Sequence, residues 1–228
     1  MPSNRRAFLT ASAVAALATA PAAAATRAPR SRRPHRTGPP ATAAEALAEL
    51  LAGNRRYAAG RPSHPHEDRR LRHALAGGQH PYAVVLGCVD SRVPPELIFD
   101  QGLGDVLCLR TAGQVLDEAV LASVQYGVAE LRIPLVLVLG HERCGAVAAT
   151  LDHLRSGADA PGHLELLVEE IAPAAHRTRA VPGDWAEHTM TAHTVRVRDT
   201  LRHDPAFSGA QVTAARFDLD TGLVTVLP

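Results

Sequence analysis

The chain contains few cysteines and few aromatic residues. Its 228 residues include only three cysteines, one tryptophan, three tyrosines and four phenylalanines. Three cysteines are too few for the disulfide framework that stabilises many small secreted domains. Because aromatic residues make up only 4% of the sequence, the core must consist mainly of Ala, Val and Leu. The hydrophobic content of 46% is still sufficient for the core of one domain.

The chain also lacks a strong net charge, although its charges are unevenly distributed. The formal net charge is +1. Residues 1–40 contain seven arginines and no acidic residue, which leaves 17 basic and 23 acidic residues, a net charge of −6, in the rest of the chain. A mildly acidic globular domain does not offer the basic surface that nucleic-acid binding requires. We therefore expect no nucleic-acid partner.

The basic N-terminus has the features of an export signal. Residues 3–9, SNRRAFL, resemble a twin-arginine motif, residues 11–20 are apolar, and the alanines of 22–25 offer cleavage sites. The apolar stretch is too short and too rich in alanine to anchor the protein in a bilayer after signal removal. The sequence thus predicts a signal peptide over 1–25, an Arg- and Pro-rich linker over 26–40, and export to the periplasm, the cell-wall side or the medium. A disordered alanine-rich tail is the alternative.

Strand and helix patterns alternate over residues 41–228. The runs YAVVLG at 82–87 and PLVLVLG at 134–140 are typical of strands that are buried on both faces. A third strand is expected at 106–110, where Cys108 would be a small buried residue. A helix is expected at 117–131. This alternation predicts an α/β domain over 41–228, with a mainly parallel central β-sheet flanked by helices.

Three metal-ligating residues follow the two strongest strands. Cys88 comes directly after the first run, and His141 and Cys144 follow the second. Because side chains at the carboxyl ends of parallel strands meet at one edge of the sheet, we expect these three to converge. Two thiolates and one imidazole are a ligand set of catalytic zinc, which keeps its fourth position for water. Two buried structural cysteines and a surface histidine are the alternative interpretation.

Asp90 and Arg92 follow the first of these ligands and are candidates for catalysis. A carboxylate beside the metal can accept a hydrogen bond from water and orient it. Arg92 can hold Asp90 through a charge-assisted, bidentate pair, which keeps the carboxylate off the metal. An ordinary buried ion pair is the alternative interpretation.

The pattern C-x-D-S-R at residues 88–92, followed by H-x-x-C-G at 141–145, resembles the signature of the β-class carbonic anhydrases. The segments FDQGLGD at 99–105 and RTAG at 110–113 match that family too. The resemblance implies reversible hydration of carbon dioxide to bicarbonate and a proton by zinc-bound hydroxide, with one zinc per subunit. It also implies that Gln79, nine residues before the first ligand, binds the substrate. A homodimer is expected, with a tetramer as the alternative.

Two other functions stay open at this point. Relatives of these enzymes use the same zinc site to hydrolyse carbon disulfide or carbonyl sulfide, so a different small substrate is one alternative. A zinc- or bicarbonate-binding protein without enzymatic activity is the other, and a fourth protein ligand to the metal would favour it.

Overall fold

The structure is a computed structural model, and it describes residues 38–228. The predicted signal peptide at 1–25 and most of the predicted linker at 26–40 lie outside the described residues. Residues 38–228 form twelve α-helices and β-strands, in chain order: α1 Ala43–Ala58, α2 Arg69–Leu75, β1 Ala83–Cys88, α3 Pro95–Ile98, β2 Val106–Thr111, α4 Glu118–Gln125, β3 Leu135–His141, α5 Gly145–Ser156, α6 Glu165–Thr178, α7 Trp185–His203, β4 Gln211–Phe217 and β5 Val224–Val226.

The central sheet has five strands in the order β2-β1-β3-β4-β5. The first four strands are parallel, and β5 pairs with β4 in antiparallel orientation. This arrangement confirms the predicted α/β class with a mainly parallel sheet. In the register of β1 and β3, Gly87 lies opposite Leu139, so Cys88 and His141 leave the sheet at the same edge.

Both faces of the sheet are buried, which explains why β1 and β3 are apolar at almost every position. Successive side chains of a strand point to opposite faces. Val85 and Leu137 therefore belong to a core cluster that includes Leu50 of α1. Val84 and Val136 belong to a second cluster on the other face, with α4 and the second half of α7.

Helix α1 is held by hydrogen bonds near both of its ends. Its N-terminus carries a capping box, in which Thr42 and Glu45 satisfy each other's backbone N–H groups. Near its C-terminus, the buried Asn54 donates to the carbonyl oxygens of Ile98 and Gly222 and accepts from the backbone N–H of Val224. These bonds connect α1 to the end of α3 and to the β4–β5 hairpin.

Two predictions need correction. The helix expected at 117–131 is present, but it changes from α to π geometry over Tyr126–Glu130. Gly127 lies here, and a Cβ at this position would come within 2.9 Å of Val84 Cγ2, so the helix packs very closely on the sheet. Cys108 is only partly buried, because β2 is an edge strand of the sheet.

Within residues 38–228, no helix is both long and apolar enough to cross a membrane.

Candidate active site

The three predicted metal ligands converge at the carboxyl edge of the sheet. Cys88 is the last residue of β1, His141 is the last residue of β3, and Cys144 directly precedes α5. One ligand atom from each side chain lies within 4.8 Å of the other two, and all three residues are buried. The cluster could therefore hold a single metal ion.

The protonation of the cluster favours a cation. Cys88 Sγ and Cys144 Sγ are 4.0 Å apart. The hydrogen bond from the Cys144 thiol lowers the pKa of Cys88, and the same interaction raises the pKa of Cys144. Because the two sulfurs are so close, ionisation of one disfavours ionisation of the other, and Cys144 is the one that holds its proton more firmly. A cation would replace that proton and stabilise both thiolates.

His141 is held in the tautomer that a metal ligand requires. Its Nδ1 lies 2.8 Å from the backbone carbonyl oxygen of Glu142, so Nδ1 carries the hydrogen and donates it. Its Nε2 is buried and has no hydrogen-bond partner among the described residues. A buried, unpartnered acceptor is costly unless something binds it, and a metal ion at the cluster would do so. This backbone partner could not be predicted from sequence, because every residue has a carbonyl acceptor.

Asp90 and Arg92 form the bidentate pair that the sequence predicts. Arg92 Nε donates to Asp90 Oδ1 at 2.9 Å, and Arg92 Nη2 donates to Asp90 Oδ2 at 2.6 Å. The same guanidinium donates to the carbonyl oxygen of Arg143, at 3.2 Å, and so connects the pair to the turn between His141 and Cys144. The hydrogen bonds from Arg92 lower the pKa of Asp90 to about 2, so the carboxylate is ionised at neutral pH.

The backbone beside Asp90 is fixed by Arg110 of β2. Arg110 Nε donates to the carbonyl oxygen of Cys88 at 2.8 Å, and its Nη2 donates to that of Asp90 at 2.6 Å. The ligand and the carboxylate therefore sit on a segment whose peptide groups cannot rotate freely.

The two residues between the later ligands point away from the cluster. The Glu142 carboxylate accepts from Arg216 of β4 and from the backbone N–H of Leu219. Arg143 forms a bidentate pair with Asp220 at 2.8 and 2.9 Å. These bonds fasten the turn to the β4–β5 hairpin. Glu142 and Asp220 also lie in an acidic cluster with Asp218, but arginines neutralise it.

Gln79 is not joined to the metal cluster by a hydrogen bond. It is exposed, in the segment between α2 and β1, and it makes no hydrogen bond to any residue of 38–228. Its role in binding the substrate stays a prediction.

The comparisons with known proteins agree with this geometry. A model of the family described as carbonic anhydrase matches residues 83–224. Carbonic anhydrase 2 of Mycobacterium tuberculosis is 50% identical over 135 residues, which are 59% of this chain and 64% of that relative. The match thus spans a little under two thirds of the relative's length.

Solved β-carbonic anhydrases share the fold. The structure of CafA from the fungus Aspergillus fumigatus superposes with a TM-score of 0.60 and is 27% identical, covering 79% of this chain and 90% of that one. A structure described as one of two tetrameric β-carbonic anhydrases from Sordaria macrospora gives a TM-score of 0.61 at 24% identity, covering 79% and 96%.

Proposed function

This chain belongs to the carbonic anhydrase family, and we propose that it catalyses the reversible hydration of carbon dioxide to bicarbonate and a proton. One observation carries the proposal: two cysteine sulfurs and an imidazole converge at the sheet edge, with an ionised carboxylate two residues after the first of them. Three ligands leave one position of a tetrahedral metal open, as catalysis requires.

We propose zinc as the metal, with one ion per chain held by Cys88, His141 and Cys144. The donor set fits, since thiolate sulfur and imidazole nitrogen are the common protein ligands of zinc. The unpartnered Nε2 of His141 supplies the third lone pair. Bound zinc would act as a Lewis acid that makes water a nucleophile near neutral pH.

Asp90 would orient the attacking water. Because its pKa is held near 2, it stays a hydrogen-bond acceptor over the whole physiological range and accepts from the water without taking its proton. Ligands that cannot donate a hydrogen bond would be rejected at the same place. The carboxylate thus favours water over other small molecules as the nucleophile.

Arg92 would keep Asp90 in that role. Its guanidinium donates one hydrogen bond to each carboxylate oxygen of Asp90. It also donates to the carbonyl oxygen of Arg143, which restrains its position. Without this pair the carboxylate could rotate onto the metal and close the open position. Arg92 therefore acts through Asp90 and not on the substrate.

Gln79 is proposed to donate a hydrogen bond to bicarbonate. Its side-chain amide is exposed and uncommitted within residues 38–228, so a substrate could use it without breaking an existing bond. Gln79→Ala should raise the KM for bicarbonate in the dehydration direction and leave the melting temperature unchanged. An unchanged KM would remove Gln79 from the binding site.

We propose that the protein is a homodimer, with a tetramer as the alternative. Large apolar side chains are exposed on α3, in the segment between α3 and β2 and directly after α4, namely Leu97, Leu103 and Tyr126, and a partner subunit could cover them. We also propose export by a twin-arginine signal, which rests on residues 1–25 of the sequence alone. Fusion of these residues to a reporter, with the twin-arginine route blocked, would test the export.

Stopped-flow measurement of carbon dioxide hydration by zinc-loaded protein tests the activity. Asp90→Asn should lower kcat/KM by roughly 100-fold or more, because the orienting carboxylate is lost. Asp152→Asn is the matched control, since Asp152 forms an exposed pair with Arg155 on α5, and it should behave as wild type. Parallel assays with carbon disulfide and carbonyl sulfide would reveal a different substrate. Zinc-loaded protein without activity on any of the three would favour a binding role.

A further inference from the structure

The turn that follows β2 has an unusual backbone. Gly113 and Gln114 both have positive φ angles, of 64° and 46°. This left-handed conformation is easy for glycine but unfavourable for glutamine. The surrounding structure must therefore hold the turn in place.

Helix α7 supplies the groups that hold it. His193 Nε2 lies 2.9 Å from the carbonyl oxygen of Gly113. Gln114 Nε2 donates to Thr194 Oγ1 at 3.0 Å, and Thr194 in turn donates to the carbonyl oxygen of Met190. His193, Thr194 and Gln114 are all buried, so water does not compete for these bonds.

His193 acts here as a neutral donor. A carbonyl oxygen only accepts, so Nε2 must carry the hydrogen. Burial lowers the pKa of His193 to about 4, which keeps the ring neutral at physiological pH. Its Nδ1 has no partner among the described residues, so the bond to Gly113 is the ring's one hydrogen bond there.

The residue whose carbonyl oxygen His193 holds also contacts the metal site, through the N–H of its preceding peptide unit. The N–H of Gly113 donates to Cys88 Sγ at 3.3 Å. Any other residue at 113 would bring a Cβ to 3.0 Å from Ile171 Cδ1 and 3.1 Å from Ala146 Cβ. The side chains of Ile171 and Ala146 therefore leave little space around Gly113, and this restricts the direction of its N–H.

We propose that His193 is a positioning residue for the metal ligand Cys88. By holding the carbonyl oxygen of Gly113, it restrains the backbone conformation of that residue, and this keeps the N–H of the preceding peptide unit directed at the sulfur of Cys88. A hydrogen bond to the sulfur withdraws negative charge from it, so the bound metal keeps more of its Lewis acidity. The inference rests on the proposed function, since it takes Cys88 to be a ligand of the metal.

Two amide variants at position 193 test this role. In His193→Gln the amide nitrogen can occupy the place of Nε2 and donate to Gly113. In His193→Asn the shorter side chain cannot reach that carbonyl. Val197→Ala is the control, because Val197 is buried on α7 in the other core cluster and does not contact the turn through a hydrogen bond. Each purified full-length protein is loaded with Co²⁺ in place of the spectroscopically silent zinc.

The readouts are the sulfur-to-cobalt charge-transfer band and the affinity for zinc in competition with a chelator. We expect His193→Asn to shift the band to longer wavelength and to weaken zinc binding by about tenfold, the lower end for residues that orient metal ligands. His193→Gln and Val197→Ala should match wild type in both. A wild-type spectrum and affinity in folded His193→Asn would overturn the inference.

The same experiment separates this inference from the proposed activity. Wild-type protein that binds Co²⁺ and zinc but does not hydrate carbon dioxide would contradict the proposed activity. The spectra and zinc affinities of His193→Gln and His193→Asn would still decide whether His193 positions Cys88. Wild-type protein without charge-transfer bands would show that no thiolate binds the metal, which would overturn the inference itself.

Discussion

Replacing Arg216 by methionine should weaken the metal site from a distance. Arg216 lies on β4 and donates to the carboxylate of Glu142, whose side chain is only 15% exposed. The backbone carbonyl oxygen of Glu142 fixes the ring of His141 at 2.8 Å. Arg216 therefore restrains Glu142, whose carbonyl oxygen orients the ring of His141.

The expected magnitude has two parts. In Arg216→Met, the Glu142 carboxylate keeps the backbone N–H of Leu219, at 2.9 Å, and Arg143 Nη2, at 3.7 Å, while Glu187 loses its hydrogen bond from Arg216. Loss of a charged hydrogen-bond partner from a mostly buried carboxylate should cost about 1–3 kcal/mol of unfolding free energy with or without metal. If His141 is also released, zinc affinity should fall about tenfold. At fixed free zinc above the dissociation constant, this removes about 1.4 kcal/mol more.

Urea unfolding at one protein concentration, in zinc-buffered and in chelator-containing solution, separates the two parts. Arg216→Met should lose about 1.4 kcal/mol more in zinc than in chelator. Arg196→Met is the control, since Arg196 pairs with Glu170 and its side chain is 25% exposed, close to the 24% of Arg216. It should lose equal amounts in both solutions. An equal loss in both solutions for Arg216→Met would refute the idea that Arg216 acts on the metal site.

Two further predictions concern stability. Asn54→Leu should lower the free energy of unfolding by about 3 kcal/mol, since it removes three hydrogen bonds worth about 1 kcal/mol each; a loss below 1 kcal/mol in urea unfolding would contradict this. Arg92→Leu should raise the pKa of Asp90 from about 2 towards its usual 3.8, as NMR titration can follow. A lowered carboxyl pKa stabilises the fold above the unfolded pKa, so the variant should be less stable above about pH 4. The difference from wild type should shrink as the pH falls below about 4 and vanish only below about 2, and a variant in which Asp90 still titrates near 2 would contradict the assignment of Arg92 as its cause.

The parts of the fold that sequence could predict are those that local patterns determine. A strand buried on both faces has few polar positions, so β1 and β3 stand out as apolar runs. Helix α7 likewise has a local signal at its start, since Asp184 accepts from the backbone N–H groups of Ala186 and Glu187 as its cap. Because the ligands directly follow these strands, their convergence could be predicted from parallel pairing.

The parts that could not be predicted depend on contacts with backbone groups far away in sequence. His193 and Gly113 are 80 residues apart, and the acceptor is a carbonyl oxygen that leaves no mark in the sequence. The same is true of the carbonyl oxygen of Glu142 that fixes His141. The partial exposure of Cys108 follows from the position of β2 at the sheet edge, which strand patterns alone do not reveal.

Titration of metal-free protein with zinc, followed by carbon dioxide hydration in stopped flow, tests the central claim most directly. If Cys88, His141 and Cys144 hold one catalytic zinc, the hydration rate should rise in proportion to added zinc and level off at one ion per chain. Protein that has bound one zinc per chain and still hydrates carbon dioxide at the uncatalysed rate would contradict the account.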